Sequence, residues 1–404
     1  MTVEVEFQPD ATSSLAGMRV LDLSRLVSGN IVTHLLADHG AEVVKVERPG
    51  TGDDLRNWRT KGVSVHWKVY CRNKKSITLD LRQDAGKKIL LGLVERMNIL
   101  VENFKPGTLE KWGIGPDELH ARNPKLVIVR VSGWGQTGLY AHKPGFGSLV
   151  EAMSGFAAMN GFSDRPPVLP PLALADMIAG LYGSFAVLAA TRHIELGGGQ
   201  GQVIDLPLFD PIYSILGPIA AQYRLTGEIP ERTGSRSNQT APRNAYRTKD
   251  GKYVALSASM QAMSERLFTA IGMPELIDDP KYRTNTDRVA NNDELDPIVG
   301  DFMASRTQAE LLDLFEKADV TVGPVADIGQ LMDHPYINDR AIIVDVPDAD
   351  MGRMPMHNVI PRMSGSPAAL RSPAPELGQH NREIYSELGT DPAELDRLGK
   401  EGVL

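Results

Sequence analysis

The feature that most constrains this chain is the alternation of strand and helix signals over its first 135 residues. "MRVLDLS" (18–24) is rich in strand formers, and "IVTHLLADHG" (31–40) spaces its apolar residues as a helix does, with Gly40 as the stop. "AEVVKVE" (41–47) and "SITLDLR" (76–82) are further strands, "AGKKILLGLVERM" (85–97) reads as a helix and "NILVEN" (98–103) as a strand. A short helix starts in "GTLEKWGI" (107–114), and "KLVIVRVSGWG" (125–135) is a strand running into a glycine-rich turn. Such alternation predicts βαβ units, a mainly parallel sheet, and ligand binding at the carboxyl ends of its strands.

At 404 residues the chain is too long for one simple core. Residues 1–220 are expected to form a large α/β domain that is completed by 340–404. The polar, basic stretch 221–250 reads as a linker, and 251–339 as a small α+β domain. That domain opens on the strand "KYVALSA" (252–258) and continues with helical patterns near 262–272, 293–304 and 307–317. The glycine cluster "LGGGQGQ" (196–202) precedes the strand "VIDLPLF" (203–209) instead of following one, and it lacks a Lys-Ser/Thr ending. It reads as a helix stop and turn, not as a phosphate loop.

Charge and cysteine usage exclude several function classes. Against 43 basic side chains stand 51 acidic ones, for a net charge of −8 with no long basic run, so no nucleic-acid partner is expected. Cys71 is the only cysteine, which precludes an intrachain disulfide and fits a reducing compartment. The acidic N-terminus lacks a secretory pattern, and the apolar stretch Met177–Thr191 is short and interrupted by Gly180, Gly183 and Ser184. These features predict a soluble cytoplasmic protein with no membrane partner.

One acid stands out. In "PPLALADMIAG" (170–180), Asp176 sits at the mouth of a nearly apolar run that lasts until Arg192. Asp is among the best helix N-caps, and its charge suits the positive end of the helix dipole. Capping alone accounts for its position. A catalytic role needs support from elsewhere in the chain.

That support is a resemblance. "DLSRLVSGNIVTHLLADHGAEVVKVERPGTGDDLR" (22–56), "NKKSITLDL" (73–81), "VENFKPGTLEKWGI" (101–114), "SGWGQTG" (132–138) and "LALADMIAGLYG" (172–183) occur in order. Together they resemble the family III CoA-transferases, a superfamily that also holds the α-methylacyl-CoA racemases. The likeness continues through "VGPVADIGQLMDHP" (322–335) and "LGQHNREIYSELG" (377–389). It implies two ring-like subunits interlocked as a homodimer, each with a Rossmann-like large domain and a smaller one.

The resemblance also implies coenzyme A or acyl-CoA as substrate, with no tightly bound cofactor and no metal. A protein holding coenzyme A needs cationic donors for its phosphates and a lined channel for its pantetheine arm. By the family pattern Arg48, Asn73, Lys74 and Lys75 lie toward the nucleotide end, and Asn103, Phe104 and Lys111 flank adenine and phosphates, with Lys143 a further contact. Asp176 aligns with the family's nucleophile, which forms a mixed anhydride and then an aspartyl-CoA thioester. The implied reaction moves CoA from an acyl-CoA to a small carboxylic acid, with dicarboxylic acids among the candidates.

Departures from the pattern separate the branches. Phe146 falls where the racemases carry a histidine, and opposite-face proton transfer needs two positioned groups, so transferase is favoured over racemase. A catalytically silent CoA-binding protein is the third reading, opposed by Asp176 within its full motif. Many family members carry an acid at the position of Gly147, Ser28-Gly29-Asn30 replaces a commoner Ala-Gly-Pro, and "LSASMQ" (256–261) lacks the glycines of a lid found in some transferases.

Overall fold

The computed structural model describes residues 2–404. Its backbone divides into two compact units, one of residues 2–155, 170–217 and 333–404, the other of 156–169 and 218–332.

The first unit is built on six strands in chain order: β1 (Arg19–Asp22), β2 (Glu42–Glu47), β3 (Lys74–Thr78), β4 (Ile99–Glu102), β5 (Val127–Ser132) and β6 (Val203–Pro207). All pair in parallel, in the order β3-β2-β1-β4-β5-β6. This is the doubly wound order of dinucleotide-binding sheets, whose direction of winding reverses between β1 and β4. The central strands are buried along their length, as sheets covered on both faces require. The helices that matter for the site are α1 (Ser28–Asp38), α2 (Asp84–Val94), α3 (Gly147–Met153), α4 (Leu174–Gly197) and α5 (Phe209–Ser214).

Helix α4 is long and apolar enough to cross a bilayer. In this unit it lies along α1, β5 and β6, with Ile178, Ala179, Gly183, Val187 and Ala190 buried. Gly180 and Gly183 permit that approach: a Cβ at Gly180 would meet Ile31 Cγ2 at 2.3 Å, and one at Gly183 would meet Val32 Cγ2 at 2.7 Å. The glycines that interrupt the apolar run in the sequence are thus the residues that let two helices touch.

The edge strand β3 is covered by the C-terminal segment, which hides its free backbone groups. Tyr385 donates its hydroxyl to Thr78 O at 2.6 Å, His380 N–H donates to Ser76 O at 2.9 Å, and Thr78 N–H donates to Asn381 Oδ1 at 2.8 Å. Ile384, Tyr385, Leu398 and Val403 are buried in the same core as Leu90, Leu93 and Leu100. A three-stranded sheet of Val3–Glu4, Ile343–Asp348 and Gly352–His357 completes the unit.

The second unit holds an antiparallel sheet with Tyr253–Ser257 between Arg243–Arg247 and Val322–Pro324. Helices Gln261–Ala270, Asn292–Ala304 and Gln308–Lys317 pack Leu267, Phe268, Val299, Met303, Leu311 and Phe315 into its core. The stretch read as a linker carries helix Ile219–Thr226 and strand Arg243–Arg247 of this unit.

Candidate active site

At the carboxyl ends of β1 to β4 lies a cleft of about 330 Å³. The loop after β1 lines it with Leu23, Ser24 and Arg25, the end of β2 with Glu47 and Arg48, the segment after β3 with Asp80 and Arg82, and the segment after β4 with Phe104, Lys105 and Trp112. It spans the point where the winding reverses, the place where doubly wound sheets bind nucleotides.

Its lining combines aromatic faces with cationic side chains. Phe104 and Trp112 meet edge to face with ring centroids 5.2 Å apart, and the Arg25 guanidinium stands 5.4 Å from the Phe104 centroid. Aromatic faces stack on a base, while Arg25, Arg48, Arg82 and Lys105 offer donors to phosphates. Arg48 is half-exposed and pairs with Asp54 at 2.8 Å, and Arg82 pairs with Asp80 at 2.9 Å, so an arriving phosphate competes with a carboxylate for each.

The loop of residues 25–28 runs from this cleft toward Asp176. Asn103, just after β4, clamps it: Arg25 N–H donates to Asn103 Oδ1 at 2.8 Å, and Asn103 Nδ2 donates to Arg25 O at 2.7 Å and reaches Ser28 Oγ at 3.5 Å. The Ser28 N–H and hydroxyl lie close enough to the Asp176 carboxylate to favour its charged form. One clamped loop therefore serves both the cleft and the acid.

Asp176 is not the N-cap of its helix. Ala173 holds the cap position of α4 without a side-chain bond, and Asp176 stands within the first turn, half-buried. Burial and the neighbouring Glu151 charge push its pKa up to about 6, against the lowering pull of the donors around it. The helix terminus leaves Asp176 ionised at neutral pH by a margin of only about one unit. Glu151 on α3 is 2% exposed and accepts the Ala175 N–H at 3.0 Å. A Cβ at Gly147 would lie 2.5 Å from Asp176 Oδ2 and 3.7 Å from Glu151 Oε1, so the missing side chain is the space that the Asp176 carboxylate occupies.

Beneath the site is a second set of buried charges. Lys74 donates to Asp22 Oδ2 at 3.1 Å, Asn30 Oδ1 at 2.9 Å, Asn30 O at 3.1 Å and Thr33 Oγ1 at 2.7 Å. Lys45 lies 3.3 Å from Asp22 and 3.1 Å from Asp53. Asp53 accepts Leu26 N–H at 3.0 Å and Asn30 Nδ2 at 2.9 Å, fixing the start of α1 from below. Burial would raise the Asp22 pKa, but Lys45 and Lys74 outweigh it and hold the carboxyl at about 2. Burial pushes the neighbouring Cys71 thiol up to about 12, which leaves it a packing residue without thiolate reactivity.

The residues singled out in the sequence therefore divide. Arg48 and Phe104 line the cleft, and Asn103 braces its loop. Lys111 is exposed outside the lining, and Lys143 is exposed with its ammonium 3.4 Å from the Tyr140 ring centroid. The "NKK" residues are engaged inside the fold. Asn73 is buried and donates to Asp38 Oδ1 at 2.8 Å while its own Oδ1 accepts Arg371 N–H at 2.6 Å; Lys74 is enclosed as described, and Lys75 pairs with Glu42 at 2.6 Å and Glu383 at 2.7 Å. They fasten β3 and the C-terminal segment instead of lining the cleft. Sequence reasoning missed Arg25, Arg82 and Lys105, each just beyond the carboxyl end of a parallel strand, and that position was the signal available. It also missed Glu151, an acid four residues after Gly147 on one helical face.

Known proteins are similar to this chain over most of its length. Residues 15–381 match the model of CoA-transferase family III. Over 93% of this chain and 94% of the other, it is 41% identical to a succinyl-CoA--D-citramalate CoA-transferase of Chloroflexus aurantiacus. It is 37% identical to the beta subunit of a succinyl-CoA--L-malate CoA-transferase from the same organism, covering 97% of this chain and 98% of that one. The crystal structure of a CAIB/BAIF family protein from Brucella suis superposes with a TM-score of 0.81 at 31% identity, covering 93% of this chain and all of that one, 100%.

Proposed function

The chain belongs to CoA-transferase family III and is a CoA-transferase, and from that premise we propose that it exchanges coenzyme A between two short dicarboxylic acids with Asp176 as the nucleophile. The observation that carries this reading is the Asp176 carboxylate itself, half-buried, faced by Ser28 donors and reached by the same loop that walls the nucleotide cleft. Relatives named for succinyl-CoA, citramalate and malate point to succinyl-CoA as donor and a four- or five-carbon, hydroxylated diacid as acceptor. The racemase alternative is not favoured: the similar enzymes are named transferases, and Phe146, exposed at the start of α3, has no proton to move.

In the proposed cycle Asp176 attacks the thioester carbonyl carbon of the donor, the C–S bond breaks, and CoA leaves as thiolate. The thiolate attacks the Asp176 carbonyl of the resulting anhydride and expels the donor acid as carboxylate, leaving an aspartyl-CoA thioester. The acceptor carboxylate then opens that thioester to a second anhydride, and the returning thiolate takes the acceptor acyl group and frees Asp176. No net proton is consumed. Dividing one exchange into steps of similar chemistry is what a covalent nucleophile contributes. The Ser28 N–H and hydroxyl, already aimed at Asp176, are placed to hold oxyanions that form there.

In the cleft, Phe104 and Trp112 would take the adenine, and Arg25, Arg48, Arg82 and Lys105 the phosphates, with the arm running along residues 25–28. A homodimer of interlocked rings is supported by the face of α4 that its own chain leaves uncovered, where Phe185 is 72%, Leu196 67% and Leu181 59% exposed. The test of the reaction is incubation with succinyl-CoA and a pool of diacids, read by mass spectrometry for new thioesters. Hydroxylamine should label Asp176 only when donor is present, and absence of both label and new thioesters overturns the proposal.

A further inference from the structure

We propose that Glu151 is a positioning residue for the transfer, a second carboxylate set one helical turn beyond Gly147 that braces the first turn of α4 and whose charge favours acylation of Asp176. The inference rests on Asp176 being the nucleophile.

The geometry is specific. Gly147 and Glu151 stand four residues apart on α3, and hence on one face. An acid at 147 would project into the space that the Asp176 carboxylate fills, whereas Glu151 reaches the same place from the next turn: both carboxylates have an oxygen within 4 Å of the point a Cβ at 147 would take. Glu151 is buried, and its Oε1 accepts the Ala175 N–H at 3.0 Å, so it cannot swing away without orphaning a donor at the start of α4.

Other elements packed on α4 carry His34 and Asp38 (α1), Arg130 (β5), Asp205 (β6) and Asp210 (α5), and α4 itself carries Arg192 and His193 at its far end. Glu151 is the leading charge acting on Asp176. No lysine or arginine ion pair offsets either carboxylate among the described residues.

The consequence is electrostatic. In the free enzyme two anions face each other. When Asp176 attacks the thioester, its charge passes to the departing CoA thiolate, and the anhydride left beside Glu151 is neutral. The repulsion is therefore present before acylation and gone after it, which destabilises the start of the step relative to its product. A more basic carboxylate is also the stronger nucleophile.

Glu151→Gln tests this, because it keeps an oxygen for the Ala175 N–H and removes the charge. The acid limb of the kcat/KM profile, near pH 6 in the wild type, should move down by about one unit, and kcat at pH 8 should fall roughly three- to tenfold. Glu151→Asp, which retains the charge one methylene further off, should land between the two and carries the test if the Gln variant does not fold. The Asp176 titration is read separately from activity, as the carboxyl infrared band that Asp176→Asn removes. A titration and acid limb unmoved in folded Glu151→Gln, or moved as far in Glu151→Asp, overturn the role given to Glu151. Full transfer by Asp176→Asn would instead overturn the nucleophile reading.

Discussion

Two carboxylates near α1, one enclosed and one half-buried, stand in opposite settings. Asp22, under α1, is enclosed by Lys45 and Lys74 and the hydroxyls of Ser24 and Thr33, and is held at about 2. Asp176, on the far side of α1, meets a second acid and hydrogen-bond donors, and rises to about 6. Every lone pair of Asp22 is committed, so its charge serves the fold. The charge of Asp176 is opposed by Glu151 and offset by no lysine or arginine ion pair among the described residues. The difference teaches that burial alone does not set a carboxyl's pKa; the charges placed beside it do.

The largest expected effect is on catalysis. Asp176→Asn should fold, bind CoA as the wild type does, and lose transfer by roughly 10⁴-fold, the scale of removing a covalent nucleophile. Next comes the other carboxylate's partner. Lys74→Met should cost about 3 kcal/mol, because it removes one of the two ammonium partners of buried Asp22 and the ammonium donor of Asn30 Oδ1 and Thr33 Oγ1. Urea midpoints measure it, and a loss below 1 kcal/mol would mean that the buried cluster relaxes.

The pH dependence of the two acids has opposite sign. Since folding raises the Asp176 pKa, its ionisation costs stability above about pH 6 and nothing below about pH 4. Asp176→Asn should therefore be more stable than wild type at pH 8, by on the order of 2 kcal/mol, and equal to it near pH 4. Folding lowers the Asp22 pKa, so its contribution is present above about pH 4 and is lost as the pH falls toward 2. Calorimetric melting of Asp176→Asn against wild type across this range separates the two, and a difference that does not change with pH would contradict the assignment of environments.

Gly147→Ala sharpens the comparison at the site itself. Its methyl would displace the Asp176 carboxylate and should reduce kcat about 10- to 100-fold while the protein still melts cooperatively. The smallest effect belongs to the cleft. Arg48→Ala should weaken CoA binding by about 1 kcal/mol, since the guanidinium is half-exposed and already shared with Asp54. Isothermal titration at low salt would show it, and Lys75→Ala, whose ammonium is engaged by Glu42 and Glu383, should leave CoA affinity unchanged.

The parallel sheet was legible in the sequence because each strand is an apolar, β-branched run between helical patterns. Even so, the strand expected at 76–82 begins at Lys74, which pairs with the buried Asp22, a partner that periodicity does not see. Asp176 was legible as a position but not as an environment. Its pKa depends on Glu151 and Ser28, both distant in sequence, and on a glycine that matters through what it leaves empty. The polar residues of "NKKS" could not be sorted into ligand and scaffold for the same reason: the partners of Asn73, Lys74 and Lys75, namely Asp38, Asp22, Glu42 and Glu383, are chosen by topology. Helix α3 went unread, being short and following a glycine-rich turn with weak periodicity.

The C-terminal segment over β3 also sets the order of events during synthesis. The strands of the parallel sheet are all translated by Pro207, yet the core they share takes Ile384, Tyr385, Leu398 and Val403 from the last part of the chain. A nascent chain emerging from the ribosome therefore carries its parallel sheet with one face only partly covered and its edge strand unpaired while the whole second unit is still being made. Such surfaces are what holding chaperones bind and what neighbouring nascent chains on a polysome can join. A transcript cut short after the second unit would release a protein that contains Asp176, its loop and the entire cleft lining, and that still cannot close the core beneath them.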